Sequence, residues 1–353
     1  MGKLAVYKYL SFMLLVFTLL VAAFIIMGLF GGNANPATGT AMALTVYVLP
    51  LLIVVDFILL VYWLLRRRWY WAAIPGIVLL CCIPYIGTLY QVGFFRGGDE
   101  GKNTLNIATY NVALFGREMN GFKAEDILSL MKNHQTDILC MQEYMDQSGD
   151  RRNSHNYLKY FTAKATGRHD MVIYSRFPII DSLTIDFGPG TNNSAMWADV
   201  DVDGHVLRVF NVHLETTGIN RALREASKQE SDGQLVERSS LLKIIYGKYT
   251  RGMVVRARQA DLVAAEIKKS PHPVVLCGDF NDVPYSYVYK TMKGDLVDGF
   301  KECGKGFMYT MREGIKRVRI DYIFHSEALK GINYYKYNVT YSDHLPVFMR
   351  LSL

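Results

Sequence analysis

Residues 274–282 read VVLCGDFND and residues 341–346 read YSDHLP. In the first, a short apolar run ends on glycine and then on Asp279, Asn281 and Asp282. A continuous apolar run of this length reads as a buried strand, and the polar cluster marks its end. A single polar residue at a strand end is usually a turn or a cap. Here the pattern repeats along the chain. Asn111 follows IATY, Glu143 follows DILCMQ, His213 follows VFNV, Asp321 sits in RIDYIF, and Asp343 and His344 sit in YSDHLP. Strands that each deliver an acid, an amide or an imidazole at one end imply one polar site gathered from many segments.

The sequence around these ends alternates strand-like and helix-like patterns. Residues 105–112, 137–144, 170–175, 273–277, 319–325 and 347–353 read as strands, and 124–132 and 256–268 as amphipathic helices. Residues 196–203 and 205–214 read as a hairpin turning at Asp203-Gly204, a strong short-range turn signal. Hairpins mixed with strand–helix alternation predict an α/β domain of two sheets packed face to face with helices outside.

The order and spacing of TYN, QE, a strand-end HL, GDFN, DYIF and SDH resembles the endonuclease/exonuclease/phosphatase superfamily, over roughly residues 106–353. GDFN together with a C-terminal SDH is the specific part, and SRFPI (175–179) is a further element of that kind. The group includes pancreatic deoxyribonuclease, abasic-site endonucleases, sphingomyelinases, inositol-phosphate phosphatases and tyrosyl-DNA phosphodiesterases. The resemblance implies a four-layer α/β sandwich, two packed mixed sheets flanked by helices. It also implies an enzyme that hydrolyses phosphoesters, a hydrolase acting on ester bonds. The His213-Leu214-Glu215 sequence is similar to that of tyrosyl-DNA phosphodiesterases and close to that of sphingomyelinases and inositol phosphatases. Abasic-site endonucleases lack that histidine. One departure is GRHDM (167–171), where the family is usually glycine-rich; the expectation is that it lies away from the metal ligands and bears on substrate shape.

Phosphoester chemistry explains the residue types. A water must attack in line with the leaving oxygen while negative charge builds on the phosphoryl group. A hard cation, Mg²⁺ or Mn²⁺, offsets that charge and prefers carboxylate and amide oxygens. Glu143 is the expected metal ligand, as is the matching residue in the family, with Asn111 on the metal or a phosphate oxygen. Asp343 is read as a further ligand or a histidine orienter. Asp279 is placed to orient or deprotonate the water, and Asn281 to hydrogen-bond the phosphate. His213 and His344 would stabilise or protonate phosphoryl oxygens, and Asp321 would fix the tautomer of His344. Asn111, Asn281 and His213 thus form the expected substrate contacts.

The first hundred residues differ in kind. No charged residue or histidine stands between Lys8 and Asp56. Apolar stretches at about 9–30, 41–65 and 69–95 are each long enough to span a bilayer, which takes roughly 20 residues. The expectation is an anchor over 1–97 with three transmembrane helices, joined by a polar linker to a catalytic domain at 103–353. Lys3, Lys8, Arg66, Arg67 and Arg68 lie on one side of such a bundle, and the positive-inside rule makes that side cytoplasmic. The catalytic domain then lies on the extracytoplasmic side of a multi-pass cell-membrane protein. Asp56, about 15 Å from the Arg cluster if helical, is read as a protonated or hydrogen-bonded packing contact.

From residue 101 onward the excess of Lys/Arg over Asp/Glu is only 4, too little to argue for nucleic acid by charge alone. Five cysteines offer no zinc-like pairing or disulfide framework. Residues 219–258 hold nine basic and four acidic residues with an apolar patch. They are read as a helical insertion, and one able to rest on anionic lipid. Lipid head groups or other envelope phosphoesters are the expected substrates, with nucleic acid as the alternative, and no obligate protein partner is inferred. A binding module without activity would have lost part of the polar set, and none is missing.

Overall fold

A computed structural model describes residues 3–93, 103–116, 124–144, 157–218, 223, 226–228, 231, 237–313 and 316–353. The predicted polar linker, apart from Asn103, and most of 219–236 fall outside them.

Two six-stranded mixed sheets form the C-terminal part. The first contains β2 (Thr104–Asn111), β3 (Ile138–Gln142), β4 (Ala163–Thr166), β5 (Val172–Ser175), β15 (Lys330–Lys336) and β16 (Val347–Ser352). Its order is β15-β16-β2-β3-β5-β4. The second contains β6 (Ile179–Asp186), β7 (Ser194–Val202), β8 (His205–His213), β9 (Val274–Asp279), β10 (Val297–Asp298) and β14 (Asp321–His325), in the order β10-β14-β9-β8-β7-β6. The predicted hairpin is β7–β8, and Asp203 (φ 52°) with Gly204 (φ 91°) makes its turn. Two successive positive φ values match the right-handed twist of the flanking strands. A small hairpin, β12 (Met311–Glu313) with β13 (Lys316–Val318), precedes β14.

Alternation along the strands places Ile107, Cys140, Ile173, Met196, Val209, Cys277, Ile323 and Met349 in one buried cluster between the sheets. Residues of opposite parity face outward under helices. Ala108, Leu139 and Met141 pack against the helix Ala124–Asn133, and Val212, Leu276 and Phe324 pack with residues of Arg238–Ile267 and Tyr287–Lys293. The layering is helix, sheet, sheet, helix. Cysteines Cys140 and Cys277 are buried core residues, and among the described residues all five cysteines are free.

The N-terminal part departs from expectation. Helices α1 (Lys3–Gly31) and α2 (Thr40–Leu65) are long and apolar enough to cross a membrane. The third apolar run does not form one spanning helix. α3 (Trp69–Cys81) has 13 residues, roughly 20 Å at 1.5 Å per residue. A short helix Ile83–Ile86 follows, then β1 (Tyr90–Gln91), which pairs with β11 (Gly306–Phe307) of the C-terminal part. Pro84 stands at the start of the short helix, the N–H groups of residues 86–89 bond back to residues 82–86, and the carbonyls of Thr88 and Leu89 turn to the α/β domain. Leu89 O accepts from Met308 N–H (2.9 Å) and Thr88 O from Arg319 Nη1 (3.0 Å). Asp56 is fully buried, and neither carboxylate oxygen has a hydrogen-bond partner among the described residues.

Candidate active site

Backbone register brings the polar strand ends together. β8 and β9 run parallel with His213 opposite Asp279, and β14 runs antiparallel to β9 with Asp321 opposite Asp279. In the other sheet Asn111 of β2 pairs with Gln142 of β3, so that Glu143 is the next residue. The glycine of GDFN has a steric cause. Gly278 has φ +139°, and a Cβ there would meet Val212 O at 2.0 Å, so only glycine lets β9 approach β8 this closely.

Asp279 is the hub. Its Oδ2 accepts from Asn111 Nδ2 (3.1 Å) and Asn281 Nδ2 (3.2 Å), and its Oδ1 from Asn281 N–H (2.8 Å). His213 Nε2 and His344 Nε2 stand 3.8 and 3.7 Å from the same Oδ2. Asn111 Nδ2 also donates to Glu143 Oε1 (3.1 Å), which lies 3.7 Å from His213 Nε2. Asn111 therefore holds Glu143 and Asp279 at a fixed spacing across the two sheets. Glu143 has an open side chain, 36% exposed against 1% for Asp279.

His344 Nδ1 lies 3.1 and 3.0 Å from the two oxygens of Asp321, the orienting pair expected from sequence. Asp321 is held in turn, since Thr310 Oγ1 accepts from its backbone N–H (3.0 Å). Burial alone would lower the pKa of His344, but Asp321 and Asp279 together hold it well above the ordinary histidine range. For His213 burial wins and lowers the pKa. Burial, reinforced by the charge of Asp321 and opposed by the histidines, pushes Asp279 up to about 6. One imidazole is thus held charged, one neutral, around a carboxylate that titrates near neutrality.

The structure brings Asn111, Glu143, His213, Asp279, Asn281, Asp321 and His344 together, but Asn111 turns its amide oxygen to Ala113 N–H (3.0 Å) and its nitrogen to the carboxylates, the reverse of what a metal ligand needs. Asn281 turns its amide hydrogens to Leu214 O (3.0 Å) and Asp279, so its contacts serve the two motif loops themselves. Asp343 hydrogen-bonds through Ser342 Oγ (3.4 Å) at its side chain and Arg312 N–H (2.9 Å) at its carbonyl. Ser342 was not singled out. Its hydroxyl donates to Asn111 O (2.9 Å) and accepts from His344 N–H (3.1 Å), tying the SDH loop to β2. Glu143 and Asn281 have φ of 52° and 50°, backbone strain of the kind that concentrates at functional sites.

The GRHDM turn is not remote. Asp170 O accepts from Tyr144 N–H (2.8 Å), one residue from Glu143, and Arg168 O accepts from Ser194 Oγ (2.8 Å), opposite His213. His169 and Asp170 have φ of 50° and 59°, a conformation that glycine adopts freely. The SRFPI element is structural. Arg176 pairs with Asp137 (2.9 Å) where β5 meets β3.

A mixed two-sheet α/β fold with carboxylates, amides and histidines at its strand ends defines a phosphoesterase-type scaffold. The chain belongs to the endonuclease/exonuclease/phosphatase family, whose model matches residues 108–344. A second family model, described as a domain of unknown function, matches residues 11–89. Among curated proteins none matches the sequence. Solved structures share the fold. A family protein from Bacteroides thetaiotaomicron is 19% identical with a TM-score of 0.52, covering 70% of this chain and 97% of its own. One from Bacteroides vulgatus is also 19% identical with a TM-score of 0.52, covering 71% of this chain and all of its own. A humanized D. rerio TDP2 is 16% identical with a TM-score of 0.51, covering 71% and 99%. Members of the family are hydrolases acting on phosphoester bonds, generally dependent on divalent metal.

Proposed function

We propose that the chain is a membrane-anchored phosphoesterase, with residues 1–97 as anchor and 103–353 as catalytic domain, acting on lipid head groups or other envelope phosphoesters. The observation that carries this reading is the convergence of Asn111, Glu143, His213, Asp279, Asn281, Asp321 and His344 from both sheets on one point. The donor set fits a hard divalent cation, Mg²⁺ or Mn²⁺, because it offers carboxylate oxygens and no thiolate, while Asn111 turns its amide nitrogen to Glu143 and Asp279 and its oxygen to Ala113 N–H (3.0 Å). Glu143 would hold it, with Asn111 beside it and Asp343 as a further donor. Donor atoms of Asp279, Asp321 and His344 also lie within 4.8 Å of one another and could hold a metal. His344 Nδ1 is already committed to both Asp321 oxygens, which favours the Glu143 set. A bound cation supplies charge neutralisation at the phosphoryl group.

The chain's own side chains account for the rest. Asp279, with its raised pKa, takes a proton from the attacking water at Oδ2. Asn281 holds Asp279 in place and stands beside the phosphate. As the P–O bond to the leaving group breaks, His344, charged and oriented by Asp321, gives its proton to the leaving oxygen or a hydrogen bond to a phosphoryl oxygen, and neutral His213 donates from the opposite side.

Three features favour a membrane-borne substrate. First, α1 and α2 leave Phe12, Phe17, Leu20, Phe24, Leu51, Val54, Phe57 and Ile58 exposed, an apolar surface far larger than soluble domains show. Second, the α/β domain touches the bundle at the end away from the Arg66–Arg68 turn. Asn35 Nδ2 donates to Tyr287 Oη (3.1 Å), and Lys290 Nζ donates to Asn33 Oδ1 (3.0 Å) and Leu29 O (3.3 Å). With the Arg turn cytoplasmic, the catalytic domain lies outside. An alkaline phosphatase fusion after Leu353 is expected to be active and a green fluorescent fusion there dark, and the reverse pattern would move the site into the cytoplasm.

Third, the helix Arg238–Ile267 is buried along its second half but exposes Leu242, Lys243, Ile244 and Tyr246 near its start, and its Tyr249 ring packs on Tyr47 of α2 at 5.1 Å. Arg221 and Arg224 of the same insertion lie outside the described residues. A surface of apolar side chains and cations beside the anchor suits anionic lipid, where each Lys or Arg contributes about 1 kcal/mol. Replacing Lys243 and Lys248 with Gln, and Leu242 and Ile244 with Ser, should slow turnover on anionic vesicles at low salt. A small soluble diester should be hydrolysed as before, and equal losses on both substrates would assign the segment to the fold. Nucleic acid is the second reading, drawn from His213-Leu214-Glu215. Here the Glu215 carboxylate accepts from Thr191 Oγ1 (2.6 Å), a contact within the scaffold.

A further inference from the structure

The residue that follows the GDFN motif, Asp282, is almost fully buried and shared by three parts of the chain. Its Oδ2 accepts from Arg256 Nε (3.2 Å), on the helix Arg238–Ile267, in an ion pair with both side chains 3% exposed or less. Its Oδ1 accepts from the hydroxyl of Tyr47, eight positions into α2. The same Arg256 reaches the second motif loop, because Nη1 donates to Glu215 O (3.1 Å), two residues after His213. Gln259, one turn further along that helix, accepts from Glu215 N–H (2.8 Å). Asn281 then joins the two loops at the site itself, through Leu214 O and Asp279.

The anchor approaches this corner too closely for the contact to be incidental. A Cβ on Gly32 would meet Tyr285 O at 1.7 Å, so the α1–α2 turn lies flat against the loop that continues from Asp282. The ring of Tyr85 meets that of Tyr285 edge-on at 5.4 Å, and Val283 and Tyr285 pack into the apolar cluster of α1–α3. Val283 N–H also donates to Asp282 Oδ1 (2.9 Å), so three donors hold this buried carboxylate, and removing the Tyr47 hydroxyl leaves Oδ1 with the local backbone bond alone and no side-chain link to the anchor.

We propose that the anchor completes the active site, with Tyr47 as a positioning residue. Resting on the phosphoesterase reading, the inference is that its hydroxyl, through Asp282 and Arg256, sets the loops that carry Asn281 and His213. The N-terminal helices are then part of the catalytic apparatus as well as a tether, and insertion of α2 is coupled to the geometry of the site.

The test uses the full-length protein in detergent micelles with bis(p-nitrophenyl) phosphate and Mn²⁺. Tyr47→Phe should lower kcat about tenfold, the scale of losing a partner that orients a ligating or catalytic group, with KM unchanged. Asp282→Asn, which also unpairs Arg256, should cost more, and adding Tyr47→Phe to it should lower kcat little further, since the link is already broken. Tyr287→Phe, which disturbs a different contact between anchor and domain, should leave kcat within twofold of wild type. Hydrogen–deuterium exchange over 212–218 and 279–286 should quicken in Tyr47→Phe and not in Tyr287→Phe. A Tyr47→Phe protein with wild-type kcat overturns the proposal, as does an equal fall in Tyr287→Phe. If the wild type itself hydrolyses no phosphoester, the functional reading fails, and exchange alone decides the link. Unchanged exchange in Tyr47→Phe then overturns it.

Discussion

In excess chelator the full-length protein is expected to hydrolyse no phosphodiester, and added Mg²⁺ or Mn²⁺ to restore turnover. Glu143→Ala is expected to lose at least ~10³-fold in kcat/KM, about 4 kcal/mol of transition-state stabilisation. Glu143, Asp279 and Asp321 bring three carboxylates within 4 Å of the His213 and His344 rings, more acid than base among the described residues of the cluster. An anionic phosphoester would be repelled from such a site unless a cation intervened. Glu143 is the most exposed of the strand-end acids that face the histidines, so its substitution should spare the core. Circular dichroism and the melting temperature should stay near wild type. Full turnover in chelator, or an active Glu143→Ala protein, would remove the cation from the mechanism.

His344→Ala is expected to cost roughly 10² to 10⁴ in rate, the range for a positioned acid or base. Asp321→Asn should cost somewhat less, because the imidazole remains but loses the charge that holds it protonated, with only one acceptor oxygen left to fix its ring. The two should be far from additive, as residues acting as a unit are. The double variant should resemble His344→Ala alone. A phosphoester with a good leaving group needs less help from an acid, so the loss should shrink on p-nitrophenyl substrates if His344 protonates the leaving oxygen. It should persist if His344 stabilises the phosphoryl oxygens. Near-native turnover by His344→Ala would show that the Asp321–His344 pair serves the fold alone.

Much of this site is legible in the sequence for a simple reason. A strand that ends in a polar residue carries that information locally: GDFN places such an end on buried β9, and SDH stands in the loop that leads into β16. The apolar runs before Asn111, Glu143, His213 and Asp279 dictate strands. Parallel pairing of β2 with β3 and of β8 with β9 then brings their ends to one edge, since parallel neighbours end on the same side. The two long apolar helices are equally local, set by composition and length. So is the β7–β8 turn, set by Asp203-Gly204.

What the sequence could not decide depends on partners far away in the chain. Tyr47 and Asp282 are 235 positions apart, and neither has a pattern that names the other. The third apolar run met the length rule for a span, yet part of it gives its backbone bonds to the α/β domain through Thr88, Leu89 and β1. Apolar content alone does not distinguish lipid from a protein surface. The direction of the Asn281 amide and the closeness of the GRHDM turn to Glu143 likewise followed from packing across the two sheets. Local periodicity determined which residues end each strand. Only the tertiary structure determined what each of them touches, because a hydrogen bond depends on distances of a few ångströms that spacing along the chain does not encode.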